Sequence, residues 1–299
     1  MDIHSLTYFQ KAAELQHITR AAGELHVAQP SLSRTITRLE EELGVRLFDR
    51  SGKNIHLNEY GKVVQRHAGQ ILREIEDIKS EIAELKGEEN QVVTISMYAC
   101  SKLLPKMIIA FKKEHPQSRL HITQDDTPSF KQKESDLLIF SSMQPSAGEG
   151  EVTLIEEEIL LALPKDNPLA KRESLDLQEV AGEEFIGLRR GKSLRSITDT
   201  YCQMAGFQPE IILESDSPET VRELIKAGIG VAFIPSIAWC GMNRDDIALV
   251  HITFPECKRY IHLSWRKNGY LSPAAQEFQA FVQEYFRKVA SGEIDLEWP

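Results

Sequence analysis

Residues 18–38, ITRAAGELHVAQPSLSRTITR, decide how this chain is interpreted. The segment 18–25 has helical spacing, residues 26–28 supply a short turn, and Pro30 stands in the first turn of the next helix. A missing N–H is tolerated at that position. Two helices joined by so short a turn can present the second helix to the major groove of DNA. The stretch therefore predicts a helix-turn-helix.

The second of these helices has an apolar face and a polar face. Apolar residues recur at steps of three and four, which predicts a buried stripe of Leu32, Ile36, Leu39 and Leu43 that ends at Gly44. Arginine can bridge guanine or clamp a phosphate, and hydroxyls can bond phosphates at the groove edge. A merely solvated amphipathic helix is the alternative. We predict DNA contacts from Gln29, Pro30, Ser31, Ser33, Arg34, Thr37 and Arg38.

A hairpin is predicted after this helix. In VRLFDRSGKNIHLN, residues 45–58, apolar pairs flank the turn signal SGKN at 51–54. Arg50 and Lys53 lie near the predicted tip, where they would meet phosphates or a minor groove. We interpret the hairpin as a wing, with a solvated basic hairpin as the alternative.

A resemblance to a known family extends over residues 9–61, FQKAAELQHITRAAGELHVAQPSLSRTITRLEEELGVRLFDRSGKNIHLNEYG. This run resembles the LysR-type transcriptional regulators without a gap. The resemblance implies a winged helix-turn-helix that binds a double-stranded DNA operator, control by a small-molecule effector, and a homodimer or dimer-of-dimers tetramer. RNA polymerase is a candidate further partner. The family often has a serine or threonine cap where this chain has His17 and Ala28, and losing one costs about 1 kcal/mol.

The charge distribution agrees with local DNA binding despite a net charge of −10. Residues 1–57 hold seven basic and seven acidic side chains, so the remainder of the chain carries the whole net charge. Phosphate contact needs only a local basic face, and residues 25–39 contain two arginines and no acid. The sequence has no run of about 18 apolar residues and no apolar signal core, which predicts a cytoplasmic protein without a membrane span.

A long helix is predicted over residues 59–87, with Asn58 as its cap. A helix this polar has no core of its own, so its apolar seam must be buried by another element. We expect the same helix of a second subunit to bury it, and packing on the chain's own C-terminal domain is the alternative. The predicted dimerisation seam consists of Val64, Ala68, Ile71, Ile75, Ile78, Ile82 and Leu85.

From residue 91 onward, strand and helix patterns alternate, which predicts an α/β domain with a mostly parallel sheet in two similar halves. The resemblance to LysR-type regulators continues in 163–170, 219–236 and 263–282. It implies a bilobed, periplasmic-binding-protein-like domain that senses an effector between its lobes. The predicted organisation is a winged helix-turn-helix domain at 1–58, a linker helix at 59–87 and a regulatory domain at 88–299. Lobe one comprises 91–161 plus 266–299, and lobe two comprises 162–265.

Ligands of open α/β sheets bind beyond the carboxyl ends of the strands, where helices begin. That rule selects loops whose hydroxyls could hold a carboxylate beside a basic run at 189–192, so an anionic effector is one hypothesis. The alternative is that Ser193 and Ser217 only cap helices and that the basic run is solvated. The candidate effector residues are Cys100, Ser101, Lys102, Asp125, Ser141, Ser142, Arg190, Lys192, Ser193, Asp216 and Ser217.

No GxSxG, HExxH, Walker-type or GxGxxG motif occurs, and the histidines do not cluster at metal-ligand spacing. We therefore predict no catalysis, no cofactor and no metal, and we interpret the acidic run 156–158 as surface. The four cysteines lack CxxC spacing and are expected to be reduced thiols, with a redox role for Cys100 as the alternative. An effector-gated regulator is favoured over a solute receptor with an accessory N-terminal domain and over an architectural DNA protein without a sensor.

Overall fold

The chain forms two compact units, Met1–Asn90 and Gln91–Pro299, in a computed structural model. None of the helices that the structure describes has the length and apolarity that a bilayer crossing requires. The structure describes residues 1–51, 54–86, 92–124, 135–146, 148–239, 247–267 and 269–294.

The first unit consists of helices and one hairpin. Its predicted helix-turn-helix and its predicted hairpin are both present, and a long helix follows them. The elements are α1 (Ile3–Leu15), α2 (Ile18–Glu24), α3 (Gln29–Leu43), β1 (Phe48–Ser51), β2 (Asn54–Leu57) and α4 (Glu59–Leu85).

Local signals set the ends of these helices. Gly44 ends α3 in the left-handed region with φ 71°, as its sequence position predicts. Asn58 caps α4 by accepting the N–H of Gly61. His17 Nδ1 accepts the N–H of Arg20 at 3.4 Å, so an imidazole stands where we expected a lost cap. Ala28 makes no side-chain cap, in agreement with the sequence.

The core of the first unit lies between the three short helices and the hairpin. Phe9, Leu32, Leu39 and Leu47 are fully buried within it. The prediction for Leu43 is wrong, because this side chain is 38% exposed. Leu43 stands in the last turn of α3, and the chain reverses at Gly44, so the completely buried Leu47 occupies the core instead.

Helix α4 divides the predicted dimerisation seam. Ala68 is buried in the core of the first unit, and Val64 packs against that core, because the start of α4 lies against α1. The burial of Ala68 within its own unit contradicts its predicted place in the dimerisation seam, and the role of the half-buried Val64 stays a prediction. Farther along the helix the seam is open: Ile75 is half-buried, and Ile71, Ile78, Ile82 and Leu85 are exposed.

The second unit is the predicted α/β alternation. Its elements are β3 (Val92–Met97), α5 (Leu104–Glu114), β4 (Arg119–Thr123), β5 (Leu137–Ser142), β6 (Glu151–Pro164), β7 (Ser174–Asp176), β8 (Glu184–Leu188), α6 (Ser193–Met204), β9 (Glu210–Ser215), α7 (Pro218–Lys226), β10 (Ala232–Pro235), β11 (Ile247–Phe254), β12 (Lys258–Trp265) and α8 (Pro273–Ala290).

The prediction of a mostly parallel sheet is wrong. The strand order is β4-β3-β5-β12-β6-β11-β7, with β10 also paired to β6, and β8-β9 form a separate pair. The pairs of β3 with β4 and β5, of β7 with β11 and of β8 with β9 are parallel, whereas β10, β11 and β12 all run antiparallel to β6. The reason is that β6 is one 14-residue strand, and the chain returns along it through β11 and then β12.

Candidate nucleic-acid interface and ligand cleft

The exposed side of α3 carries the predicted DNA-contacting residues. Gln29, Pro30, Arg34 and Arg38 are exposed, while Ser31, Ser33 and Thr37 are half-buried. Arg34 Nε donates to the carbonyl of Pro30 at 3.2 Å, which lays this guanidinium along the start of the helix. The structure therefore gathers these residues on one face of one helix, opposite the buried Leu32 and Leu39.

A groove of about 540 Å³ lies beside this helix. Gln29, Ser33 and Thr37 form its polar wall on α3, and Phe48 and Ile55 of the hairpin contribute apolar surface. His17, Ile18 and Thr19 also line it, and none of the three is among the predicted DNA contacts. The short turn of the helix-turn-helix could have indicated them, because it brings the start of α2 close to α3.

Two anchors hold the hairpin against the helices. The buried Glu40 accepts the N–H of Leu47 on Oε1 at 2.7 Å, and Ile55 donates its N–H to the carbonyl of Gln16 at 3.1 Å. Arg50 pairs with Ile55 in the backbone ladder. The Arg50 side chain and the whole of Lys53 lie outside the described residues.

The second unit contains a cleft of about 210 Å³. Five candidate effector residues line it: Cys100, Ser101, Lys192, Ser193 and Asp216. Cys100 adopts the left-handed region with φ 61° at the end of the first strand of the unit. The other lining residues are Met97, Tyr98, Ala99, Gln124, Leu188, Leu194, Pro218, Trp239 and Arg259.

Ser193 and Ser217 differ in role, because Ser193 lines the cleft and Ser217 caps a helix. The α6 helix is preceded by Lys192 without a side-chain cap, and Ser193 Oγ lies 2.9 Å from Ser141 Oγ. The cap alternative is therefore wrong for Ser193. Ser217 does cap α7, since it accepts the N–H of Thr220 at 3.4 Å, and it is not among the residues that line the cleft.

The residues that line the cleft do not include Lys102, Ser142 or Arg190. Lys102 Nζ lies 3.9 Å from Glu219 Oε1, and Ser142 bonds His262 Nε2 at 2.8 Å within the sheet. Arg190 is exposed, and it does not line the cleft. Asp125 lies outside the described residues.

Arg259 and Trp239 also line the cleft, and neither is among the predicted effector residues. Arg259 forms an ion pair with Glu157, and both side chains are buried, at 3% and 0% exposure. The interpretation of run 156–158 as surface is thus wrong for Glu157. Its strand alternates, so Glu157 shares a sheet face with the buried Ile155 and Ile159, and this alternation was the signal available in the sequence.

Arg195 links α6, which begins at the cleft, to the strands β8 and β9. Its guanidinium donates to Asp199 Oδ1 and Glu214 Oε1, each at 2.7 Å, and to the carbonyl of Leu188 at 3.1 Å. Burial acts to lower the pKa of Arg195, but the hydrogen bonds to the two carboxylates outweigh it and raise that pKa. The α6 helix is thereby tied to the ends of β8 and β9.

Two buried cysteines are poor nucleophiles. Burial raises the pKa of the Cys202 thiol to about 12, and burial also raises the pKa of the Cys257 thiol. A thiol rather than a thiolate is therefore the species present near neutral pH. Within the described parts of the chain, no group of His, Cys, Asp and Glu side chains could hold a metal ion.

Comparison with known families gives a match to each unit. The family model described as bacterial regulatory helix-turn-helix protein, lysR family, matches residues 3–62. The family model described as LysR substrate binding domain matches residues 87–287. This chain belongs to the LysR family of transcriptional regulators.

LysR regulators of known sequence or structure resemble the chain over nearly its whole length. The HTH-type transcriptional regulator YybE of Bacillus subtilis is 35% identical over 96% of this chain and 99% of its own. The transcriptional dual regulator GltC of the same organism is 31% identical over 97% and 99%. A full-length OxyR variant from Pseudomonas aeruginosa shares the fold with a TM-score of 0.64 at 24% identity, covering 96% of this chain and 95% of the other.

Membership in the LysR family establishes the general function. The chain is a DNA-binding transcriptional regulator with a C-terminal effector-binding domain. The predicted family, the fold class of a winged helix-turn-helix followed by an α/β regulatory domain, and the predicted regulatory function are thereby confirmed.

Proposed function

We propose that α3 inserts into the major groove of an operator and that the hairpin lies against the adjacent backbone. The DNA contacts are those predicted above, on Gln29, Pro30, Ser31, Ser33, Arg34, Thr37 and Arg38, together with Arg50 and Lys53 of the hairpin. The observation that supports this most directly is the exposure of Arg34 and Arg38 on the side of α3 opposite its buried face.

Genome-wide mapping of bound DNA followed by fluorescence anisotropy on the mapped sites tests the interface. Arg34→Ala should weaken operator binding by about 1–3 kcal/mol if Arg34 reads a base. Arg119→Ala, which removes an exposed arginine of the second unit, is the matched control and should leave the affinity unchanged. An affinity for the operator that Arg34→Ala does not alter removes Arg34 from the proposed interface.

The proposed assembly uses the open part of α4. Ile78, Ile82 and Leu85 are 57%, 47% and 88% exposed, so a second copy of this helix would remove apolar side chains from water. A homodimer, or a dimer of dimers, would present paired α3 helices to an operator with inverted half-sites. The corresponding proposed domains are 1–58, 59–87 and 88–299.

Sedimentation velocity at micromolar concentration tests this assembly. Ile82→Glu places a charge in the seam and should shift the protein toward single chains. Ser80→Glu adds the same charge on the side of the helix opposite the predicted seam and should leave the assembly unchanged. A parent protein that sediments as a single chain contradicts the proposal.

The cleft of the second unit is the proposed effector site, between lobe one (91–161 plus 266–299) and lobe two (162–265). Its hydroxyls from Ser101 and Ser193 and its cation Lys192 suit an anionic small molecule. An effector acts only if it prefers one arrangement of the lobes, which would alter the spacing of the paired DNA-binding units. Titration calorimetry against carboxylates and neutral metabolites tests the site, and tight binding only to cations would contradict an anionic effector.

The family membership also supports the less specific predictions. A regulator of transcription acts where the DNA is, so we propose a cytoplasmic location and RNA polymerase as a further partner. We further propose that the protein is not an enzyme, because its family consists of transcription regulators.

A further inference from the structure

A buried ion pair forms part of the cleft and lies outside the predicted contact residues. Arg259 lines the cleft, and its Nε and Nη2 each lie 2.7 Å from Oε1 of Glu157. Two charges so deeply buried cost free energy to remove from water, and such pairs are weak contributors to stability. Their place at a ligand cleft therefore suggests a role in binding.

Glu157 engages one edge of the Arg259 guanidinium. Both contacts with Glu157 fall on the side of Nε and Nη2, and neither uses Nη1. A guanidinium presents its donors as a planar fork that matches a carboxylate. A ligand that contacts Nη1 would therefore leave both contacts with Glu157 in place.

Glu157 also holds the turn that carries Trp239. Its Oε2 accepts the backbone N–H of Ile237 at 2.9 Å and that of Ala238 at 2.7 Å. The next residue, Trp239, is buried and lines the cleft. One carboxylate therefore fixes both a cation and an aromatic wall of the same cavity.

We propose that Arg259 selects a small carboxylate as the ligand of this cleft and that Glu157 is its positioning residue. The inference rests on the proposed function of the cleft as an effector site. A cavity of about 210 Å³ equals roughly seven water molecules of about 30 Å³ each, which admits an organic acid of a few carbon atoms. Leu188, Leu194 and Trp239 supply apolar surface for the carbon part of such a ligand.

Quenching of Trp239 fluorescence tests the proposal without knowledge of the natural effector. The chain has three tryptophans, so W265F/W298F leaves Trp239 as the single fluorophore. At constant ionic strength, iodide reports access of an anion and acrylamide reports access of a neutral solute. The ratio of the two quenching constants then isolates the charge that the cleft presents. Acetate and its neutral counterpart acetamide serve as competitors.

The two central variants should change this ratio in opposite directions. E157Q removes the countercharge of Arg259 and should raise the ratio. E157Q/R259Q keeps the net charge of the parent but removes the cation, so the ratio should fall, with about a fivefold difference between the two variants. Acetate, but not acetamide, should protect Trp239 from iodide in the parent. K165Q, which changes an exposed cation that does not line the cleft, should match the parent.

The outcomes separate this inference from the proposal on which it rests. If acrylamide quenches Trp239 but the two variants do not shift the ratio in opposite directions, the assignment of Arg259 is overturned and the cleft remains a candidate effector site. If acrylamide does not quench Trp239 at all, the assignment of Arg259 and the proposal of an effector site in this cleft are both overturned. If circular dichroism shows that E157Q/R259Q does not fold, R259K takes its place. Lysine keeps the positive charge but lacks the additional donors of the guanidinium, so acetate should no longer protect Trp239 from iodide in this variant.

Discussion

The structure predicts that Gly61→Ala lowers the free energy of unfolding, although helix propensity alone predicts that it raises it. Gly61 lies in α4, where replacing glycine by alanine ordinarily stabilises a helix by about 1 kcal/mol. A Cβ at this position would stand 2.1 Å from the carbonyl oxygen of Leu47 and 2.7 Å from Leu57 Cδ2. The first contact is with backbone, which a change of side-chain rotamer cannot relieve.

The expected magnitude follows from three contributions. Overpacking costs about 1–3 kcal/mol, and the same Leu47 oxygen accepts the N–H of Asn58, a hydrogen bond worth about 1 kcal/mol. Subtracting the propensity gain of about 1 kcal/mol leaves Gly61→Ala destabilised by about 1–3 kcal/mol. Because Leu47 immediately precedes the hairpin, the variant should also weaken operator binding.

Urea unfolding of Gly61→Ala and Gly23→Ala measures the effect against a matched control. Gly23 lies in α2, has no atom within 4 Å of its added Cβ, and should be stabilised by about 0.5–1 kcal/mol. The two alanine variants should therefore move the midpoint in opposite directions. A Gly61→Ala protein at least as stable as the parent, with Gly23→Ala behaving as stated, would refute the argument from the Leu47 contact.

Three further predictions concern the second unit. Burial lowers the pKa of His262, so the folded protein binds a proton less readily than the unfolded chain, and this histidine destabilises the fold as pH falls below about 6.5. In urea unfolding experiments, His262→Gln should therefore lose less stability than the parent between pH 7 and pH 5. Equal losses in the two proteins would contradict this. Cys202 and Cys257, whose thiol pKa values burial raises, should not react with a disulfide reagent at pH 8 until the protein is unfolded, and stoichiometric labelling of the native C100S/C240S variant would contradict this. Arg195→Met removes the cation that two carboxylates share, and because each carboxylate side chain is 39% exposed the loss should be about 1–2 kcal/mol by urea unfolding, whereas Arg119→Met should cost little.

Local signals allowed much of the first unit to be predicted. Pro30 in the first turn of α3, Gly44 at its end and Asn58 before α4 each act on the backbone within a few residues, so sequence position suffices to locate these boundaries. The polar face of α3 followed from the same periodicity, because a helix that buries Leu32 and Leu39 must turn Arg34 and Arg38 outward.

The ligand cleft was only partly predictable. The rule that ligands bind beyond strand ends located Ser101 and Ser193, since those residues follow a strand or begin a helix. It could not locate Arg259, which lines the cleft from within β12 rather than from a loop beyond the carboxyl end of a strand. It also placed Ser142 at the cleft, whereas the hydroxyl of Ser142 bonds His262 within the sheet.

By itself, the sequence determined the helix-turn-helix with its hairpin, the long fourth helix, most strands of the second unit and, through the match of both halves to the LysR family, the regulatory function. Only the tertiary structure decided that Ala68 belongs to the core beside α1, that β10, β11 and β12 run against β6, and that Arg259 lines the cleft. Caps and periodicity act between residues a few positions apart, whereas burial and strand direction depend on which distant segment packs alongside.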